Sequence, residues 1–116
     1  GNCVWRMPLQ ADGCVSKAGQ FFTSYGPSGP DGLAMDSAGH LLVANPGLAC
    51  IWVLNHRAEP VQILRTDVGA SLTNLAFGGP DRKTLYCTES TSGSVLCAPM
   101  REPGSSVNLG PGNQGD

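Results

Sequence analysis

The sequence predicts an all-β protein made of short antiparallel strands, and three features of its 116 residues favour this fold class. First, 16 glycines and 9 prolines interrupt the chain every few residues and leave little room for a long helix. Second, no stretch of about eleven or more residues carries apolar side chains at helical spacing. Third, the short segments DG, SAG, NHR and GGPD, which separate apolar runs, are typical of β-hairpin turns.

A repeat with a period in the forties runs through the chain. The stretch CVWRMPLQADG, from residue 3, resembles CIWVLNHRAEP, from residue 50, and GLAMDSAGHLLVAN (32–45) resembles NLAFGGPDRKTLYCT (74–88). The matched positions are Trp5 with Trp52, Leu33 with Leu75, and Leu42 with Leu85. Repeats of this length, built only from short strands and turns, are typical of β-propeller blades.

The strands of each blade are labelled A to D from the central channel outward. The sequence predicts strands C and D of one blade at 3–8 and 14–22, strands A to D of a second at 32–36, 40–45, 50–54 and 60–65, and strands A to C of a third at 74–78, 84–88 and 94–98. The result is a blade remnant (2–22), a full blade (32–66) and an incomplete blade (74–98), about two and a half four-stranded blades of a partial β-propeller.

Residues 1–100 are thus predicted to form a partial propeller, and the aperiodic residues 101–116 a disordered tail. A propeller closes its blades into a ring, which leaves no long strand edge exposed. A chain with fewer than three blades is therefore expected to be a fragment that lacks N-terminal blades and aggregates when it is isolated.

Composition excludes several classes of function. Seven Lys and Arg against nine Asp and Glu give a net charge of -2, without the basic stripe of a nucleic-acid-binding surface. No apolar run is long enough to span a membrane. The five cysteines include no C-x-x-C pair, which argues against a zinc ribbon. We expect buried thiols and a cytoplasmic protein, although a lost N-terminal signal peptide is an alternative.

The candidate site residues lie at one end of the predicted blades. Asp31 and Asn74 are expected at the same position in neighbouring blades, at the head of strand A, where a side chain can point into the channel. Asn45 and Glu89 are expected on the same face but farther out, with Glu89 an exposed loop acid. His40 and His56 fall on turns at the opposite face. A Ser–His–Asp triad that uses Asp31 is therefore not expected, and no G-x-S-x-G motif occurs.

A structural alternative exists for each candidate. The Asp31 side chain can bond the local backbone of its turn, Asn74 can cap a strand, and Asn45, before a proline, can be a turn residue. The functional alternative gives Asn74 and Asn45 contacts with a hydroxylated substrate.

The chain resembles the C-terminal part of the senescence marker protein (regucalcin)/gluconolactonase family over about residues 2–98. The resemblance depends on GPDGLAMDSAGHLLVANPG (29–47), followed by IWVL (51–54), and on TNLAFGGPDRKTLYCTES (73–90) with SGSVL (92–96). It implies a six-bladed propeller that holds one divalent cation, calcium or zinc, and hydrolyses sugar lactones, with relatives that cleave organophosphates. It also implies that Asp31 is a metal ligand and the base for the attacking water. The family's other ligands, a glutamate and an asparagine, lie upstream of the stretch that this chain matches.

Three functions remain open from the sequence. The first is the C-terminal fragment of a metal-dependent sugar-lactone hydrolase, inactive alone, whose partner is a small-molecule lactone or related ester. The second is a non-catalytic propeller that serves as a binding scaffold. The third is a truncated gene product without activity.

Overall fold

The structure is a computed structural model that describes residues 1–106 of the chain. Within this range the chain forms nine strands joined by turns and loops, and no helix is long and apolar enough to cross a lipid bilayer. The strands are β1 (Cys3–Arg6), β2 (Gly19–Thr23), β3 (Leu33–Met35), β4 (Leu41–Asn45), β5 (Cys50–Leu54), β6 (Pro60–Arg65), β7 (Leu72–Gly78), β8 (Thr84–Glu89) and β9 (Ser94–Pro99).

These strands form three antiparallel sheets that correspond to the predicted blades. β1 pairs with β2, the strands β3-β4-β5-β6 form a four-stranded sheet in chain order, and β7-β8-β9 form a three-stranded sheet. The predicted fold class, an all-β partial propeller, is confirmed. The first hairpin differs in detail, because predicted strand 14–22 is observed as the shorter β2, with only a single bridge between Leu9 and Val15 beyond it.

The core lies in two layers between the three sheets. β4 is apolar on both faces, so that Leu42 and Ala44 pack toward the third sheet while Val43 packs toward the first hairpin. Period-2 alternation along a strand explains this division. Because β4 is covered on both sides, four of its five residues are buried, including Asn45 at its end.

Beyond β9 the chain crosses to the far end of β3. The N–H of Ser37 donates to the carbonyl of Pro103 at 2.8 Å, and the N–H of Ser105 donates to the carbonyl of Met35 at 2.9 Å. Residues 101–116 are predicted from the sequence to be a disordered tail, whereas residues 103–105 are hydrogen-bonded to the chain at the end of β3. Residues 107–116 of that predicted tail lie outside the described residues.

The cysteines follow the sequence-based expectation only in part. All five are free thiols. Cys50 and Cys87 are buried, and burial raises the pKa of both thiols. Cys14 and Cys97 are exposed.

Candidate functional site

Asp31 lies just before β3, on a β-bulge. Its N–H donates to the carbonyl of Ala44 at 2.9 Å, and the N–H of Ala44 donates to the carbonyl of Gly32 at 2.9 Å. Asp31 and Gly32 therefore both lie opposite Ala44 of β4, and two residues opposite one define a β-bulge. The Asp31 side chain is exposed, and the ion pairs within residues 1–106 use Asp36 and Glu59 instead. This carboxylate is thus available to a ligand.

Asn74 lies on the corresponding strand of the third sheet, one residue away from the position predicted for it. Leu33 and Leu75 are equivalent, because each pairs with the residue two places before the end of the next strand. Asn74 directly precedes Leu75, whereas Asp31 lies two residues before Leu33. Asn74 therefore corresponds to Gly32, and its predicted equivalence with Asp31 is wrong by one residue.

The physical reason is a difference in hairpin length. Val43 follows its partner Leu33 by 10 residues, whereas Cys87 follows its partner Leu75 by 12 residues. A single repeat period cannot align both arms of hairpins that differ by two residues. For the same reason the sequence match of Leu42 with Leu85 is also wrong by one position.

Asn74 nevertheless lies against the residue that follows Asp31. The N–H of Gly32 donates to the carbonyl of Thr73 at 2.8 Å, which joins the first strands of two neighbouring sheets. A β-carbon on Gly32 would lie 2.6 Å from the Cα of Asn74, and closer still to its Oδ1. Only glycine allows this approach. Asp31 and Asn74 consequently lie at the same end of adjacent strands, separated by the backbone of Gly32.

The Asn74 amide is oriented by its own backbone. Its Oδ1 accepts the N–H of Leu75 at 2.9 Å, and the side chain is exposed. The Nδ2 group therefore remains a donor for a ligand. The hydroxyl of Thr88, which lies 2.8 Å from that of Thr73, accepts the Asn74 N–H at 3.2 Å. This hydroxyl pair is not predicted from the sequence, where its only signal is a threonine at matched positions of two paired strands.

Asn45 is completely buried and holds the surrounding loops. Its Oδ1 accepts hydrogen bonds from the Ser24 hydroxyl and, at 3.0 Å, from Trp52 Nε1. Its Nδ2 donates to the carbonyls of Ser28 at 3.1 Å and Pro46 at 3.2 Å. Both ends of the amide are engaged within the chain. The predicted contact between Asn45 and substrate would require these bonds to break, and this geometry favours the structural alternative.

Glu89 ends β8 as Asn45 ends β4, and it is buried rather than exposed as expected. Its carboxylate accepts hydrogen bonds from the Ser92 hydroxyl (2.7 Å) and from three backbone N–H groups, those of Ser92 (2.6 Å), Ser71 (2.8 Å) and Thr91 (3.2 Å). These bonds, led by those from Ser92, lower the pKa of Glu89 to about 2. Gly69, at a φ of 101°, lies so close that a β-carbon there would be 2.7 Å from this carboxylate. Glu89 is thus an ionised anchor for two loops.

The histidines lie at the other end of the strands, as predicted. His40 Nδ1 lies 2.8 Å from Oδ2 of the buried Asp36, in the turn that follows β3. Asp36 is five residues beyond Asp31, which corresponds to about 16 Å along an extended chain. His40 therefore lies too far along the strand to form a Ser–His–Asp triad with Asp31.

The described oxygen donors near Asp31 are too few to hold a divalent cation by themselves. Asp31 offers one carboxylate, and Asn74 offers one amide oxygen that already accepts one hydrogen bond. Within residues 1–106, no three His, Cys, Asp or Glu side chains are grouped closely enough to hold a metal ion. Calcium takes about six to eight oxygen ligands. The described residues therefore fit one side of a cation site and do not complete it.

The fold and this site define a propeller-type chain whose family can be assigned. The family model for the SMP-30/Gluconolactonase/LRE-like region matches residues 1–91. The chain belongs to this family, and the resemblance drawn from the two motifs is confirmed. Pentonolactonase XacC of Haloferax volcanii is 40% identical over 78 residues, which are 66% of this chain and 26% of that protein.

Two solved structures share the fold over most of the chain. The X-ray structure of a protein assigned as a gluconolactonase matches with a TM-score of 0.76 and 28% sequence identity. The match covers 89% of this chain and 33% of that protein's chain. The calcium-binding protein regucalcin from Agrobacterium tumefaciens matches with a TM-score of 0.76 and 25% sequence identity. This match covers 90% of the present chain and 40% of the regucalcin chain. The chain thus spans between 26% and 40% of the length of these relatives.

Proposed function

We propose that this chain is the C-terminal part of a cation-dependent hydrolase of sugar lactones or related esters, and that it is inactive without the residues that complete its site. The observation that carries this proposal is the approach of Asp31 and Asn74 across Gly32. Membership of a family that includes a pentonolactonase supports the substrate class.

Asp31 is proposed as the cation ligand that this chain supplies, and the remaining ligands come from waters, substrate and residues outside the chain. A divalent cation held there by Asp31 and the missing ligands would polarise the lactone carbonyl and lower the pKa of a bound water. The family resemblance implies an upstream glutamate and an upstream asparagine as the missing protein ligands.

Asp31 also acts as the base. The oxygen of water forms a bond to the carbonyl carbon of the lactone while a proton of that water passes to the Asp31 carboxylate. The ring C–O bond then breaks, and the released oxygen takes up the proton, so that the product is a hydroxy acid. The Nδ2 of Asn74 donates a hydrogen bond to a substrate oxygen beside this centre.

The test is Asp31→Asn in the full-length protein. We expect lactone hydrolysis to fall by about 10²–10⁴-fold, because the variant lacks the base, whereas the melting temperature changes little. Asp67→Asn is the matched control, since Asp67 is another exposed acid in a loop of this chain. Near-normal turnover by Asp31→Asn would refute the role of Asp31.

A non-catalytic propeller is the second candidate, and the incomplete ligand set of residues 1–106 favours it. The sequence upstream of this chain decides between the two. A glutamate in the first blade and an asparagine about one blade-length before Asp31 are required by the hydrolase. A scaffold would lack them.

A further inference from the structure

Two buried polar side chains end the second strands of their sheets, at the end of the sheets where Asp31 and Asn74 lie. They are Asn45, the last residue of β4, and Glu89, the last residue of β8. We propose that both are positioning residues of the candidate site: each holds the segment that leads into the site residue of its own sheet. The expected effects on hydrolysis rest on the proposed function, whereas the contacts themselves are features of the fold.

Asn45 holds the segment that leads into Asp31. Its Nδ2 donates to the carbonyl of Ser28 at 3.1 Å, and Ser28 lies three residues before Asp31. Its chain neighbour Ala44 accepts the N–H of Asp31 at 2.9 Å. The Oδ1 of Asn45 accepts two further hydrogen bonds, so the amide cannot turn over without losing them. The path of residues 28–31 therefore depends on the Asn45 amide.

Glu89 holds the segment that leads into Asn74 in a similar way. Its Oε2 accepts the N–H of Ser71 at 2.8 Å, and Ser71 lies three residues before Asn74. The carbonyl of Ser71 accepts the N–H of Ser90 at 3.0 Å, so that both backbone groups of Ser71 are bonded at the end of β8. The path of residues 71–74 therefore depends on the length and the charge of the Glu89 side chain.

The two anchors are joined through the turn that follows Asn45. The N–H of Gly47, in this turn, donates to the carbonyl of Ala70 at 2.7 Å. Ala70 directly precedes Ser71, the residue that Glu89 holds. Both anchoring side chains are buried, so they act through the backbone and not by contact with substrate. A displacement of about 1 Å at a reacting group can lower a rate by about 10²-fold, so this indirect control is large enough to measure.

The two anchors should affect the reaction differently, because the residues that they position have different proposed roles. Asp31 is the proposed cation ligand and base, so a shift of its segment should lower kcat and weaken cation binding. Asn74 is the proposed donor to a substrate oxygen, so a shift of its segment should raise KM and leave the cation affinity unchanged. A merely structural role would lower the melting temperature and change none of these three quantities well below that temperature.

The first test is Asn45→Asp in the full-length protein, which keeps an oxygen acceptor and removes the donor to Ser28. We expect kcat to fall by at least about tenfold, and the affinity for calcium ions, measured by titration calorimetry, to weaken as much. Ser24→Ala removes only one bond to Asn45 and is the milder variant, with smaller shifts in the same direction. Asn55→Asp is the matched control, because the Asn55 side chain holds the turn 55–59 at the opposite end of the sheet.

The second test is Glu89→Asp, which keeps the charge and withdraws the carboxylate by about 1.5 Å, the length of one C–C bond. The shorter side chain can still bond to the local turn at 91–92 but no longer reaches the N–H of Ser71. We expect KM to rise by about 2–10-fold, the contribution of one hydrogen bond to substrate, with the affinity for calcium ions unchanged. Glu59→Asp is the matched control, since Glu59 accepts a hydrogen bond from Asn55 at the opposite end of the sheet.

Hydrogen exchange gives an independent readout that does not depend on catalysis. Asn45→Asp should speed exchange of the Asp31 amide, and Glu89→Asp should speed exchange of the Gly32 amide, which donates to Thr73. Exchange at these amides that equals that of the control variants overturns the proposal. So do unchanged kcat, KM and calcium affinity in a protein that hydrolyses lactones. The expected exchange pattern in a full-length protein that neither binds calcium nor hydrolyses lactones would support the positioning and contradict only the proposed hydrolase.

Discussion

Replacing Gly32 by alanine tests the close approach that brings Asp31 and Asn74 together. The new β-carbon would lie 2.6 Å from the Cα of Asn74, whereas ordinary contact begins at 3.4 Å, so the two strands must separate by about 0.8 Å. Overpacking of this kind costs about 1–3 kcal/mol. Loss of the hydrogen bond from Gly32 to Thr73 adds about 1 kcal/mol. We therefore expect the free energy of unfolding to fall by about 2–4 kcal/mol.

The assay is thermal unfolding of the full-length protein and its variants. In a protein of about 150–250 residues each kcal/mol lowers the melting temperature by about 2–4 °C, so a fall of about 4 °C or more is expected. Gly19→Ala is the control, because Gly19 lies in β2 and a β-carbon there would meet nothing within 4 Å. An unchanged melting temperature for Gly32→Ala, equal to that of the control, would show that the approach is not tight.

Two further predictions concern the buried anchors of the loops. The pKa of Glu89 is lowered from 4.5 to about 2, so its ionised form stabilises the fold fully above about pH 4.5, and this contribution is lost as the pH falls toward 2. Urea unfolding between pH 2 and 6 should show this loss of stability at low pH. The Glu89→Gln variant should lack this part of the pH dependence. Parallel plots of stability against pH for the two proteins would contradict the lowered pKa of Glu89. Asn45→Ala should destabilise the chain by about 2–5 kcal/mol, because Ser24 and Trp52 lose a buried acceptor. In a Trp52→Phe background the measured cost should be smaller, and full additivity would mean that the two side chains do not interact.

The strand positions could be predicted from the sequence because they depend on local patterns. Glycine, proline and short polar turns bound the apolar runs, and all nine strands were found close to their predicted positions. The repeat also identified the right strands as equivalent. The alignment within those strands was wrong by one residue, since Asn74 corresponds to Gly32 and not to Asp31. A repeat period averages over hairpin lengths, whereas register depends on each individual hairpin.

The burial of Glu89 and Asn45 could not be read from the sequence. Both lie at the ends of strands and directly precede turn residues, a position where polar side chains are commonly exposed. Their burial depends on loops that are distant in sequence, such as the approach of Gly69 to Glu89 and of Ser24 to Asn45. No local pattern encodes these contacts.

The sequence by itself determined the all-β class, the order of the strands and the family, because periodicity, turn residues and short motifs are local in the chain; the role of Asp31 stays a prediction. Only the tertiary structure decided which side chains accompany Asp31. The bulge at Asp31 and the glycine at position 32 let Asn74 lie against it, and loops that are distant in sequence bury Asn45 and Glu89. These features arise from packing between sheets, where a shift of one residue reverses the direction of a side chain.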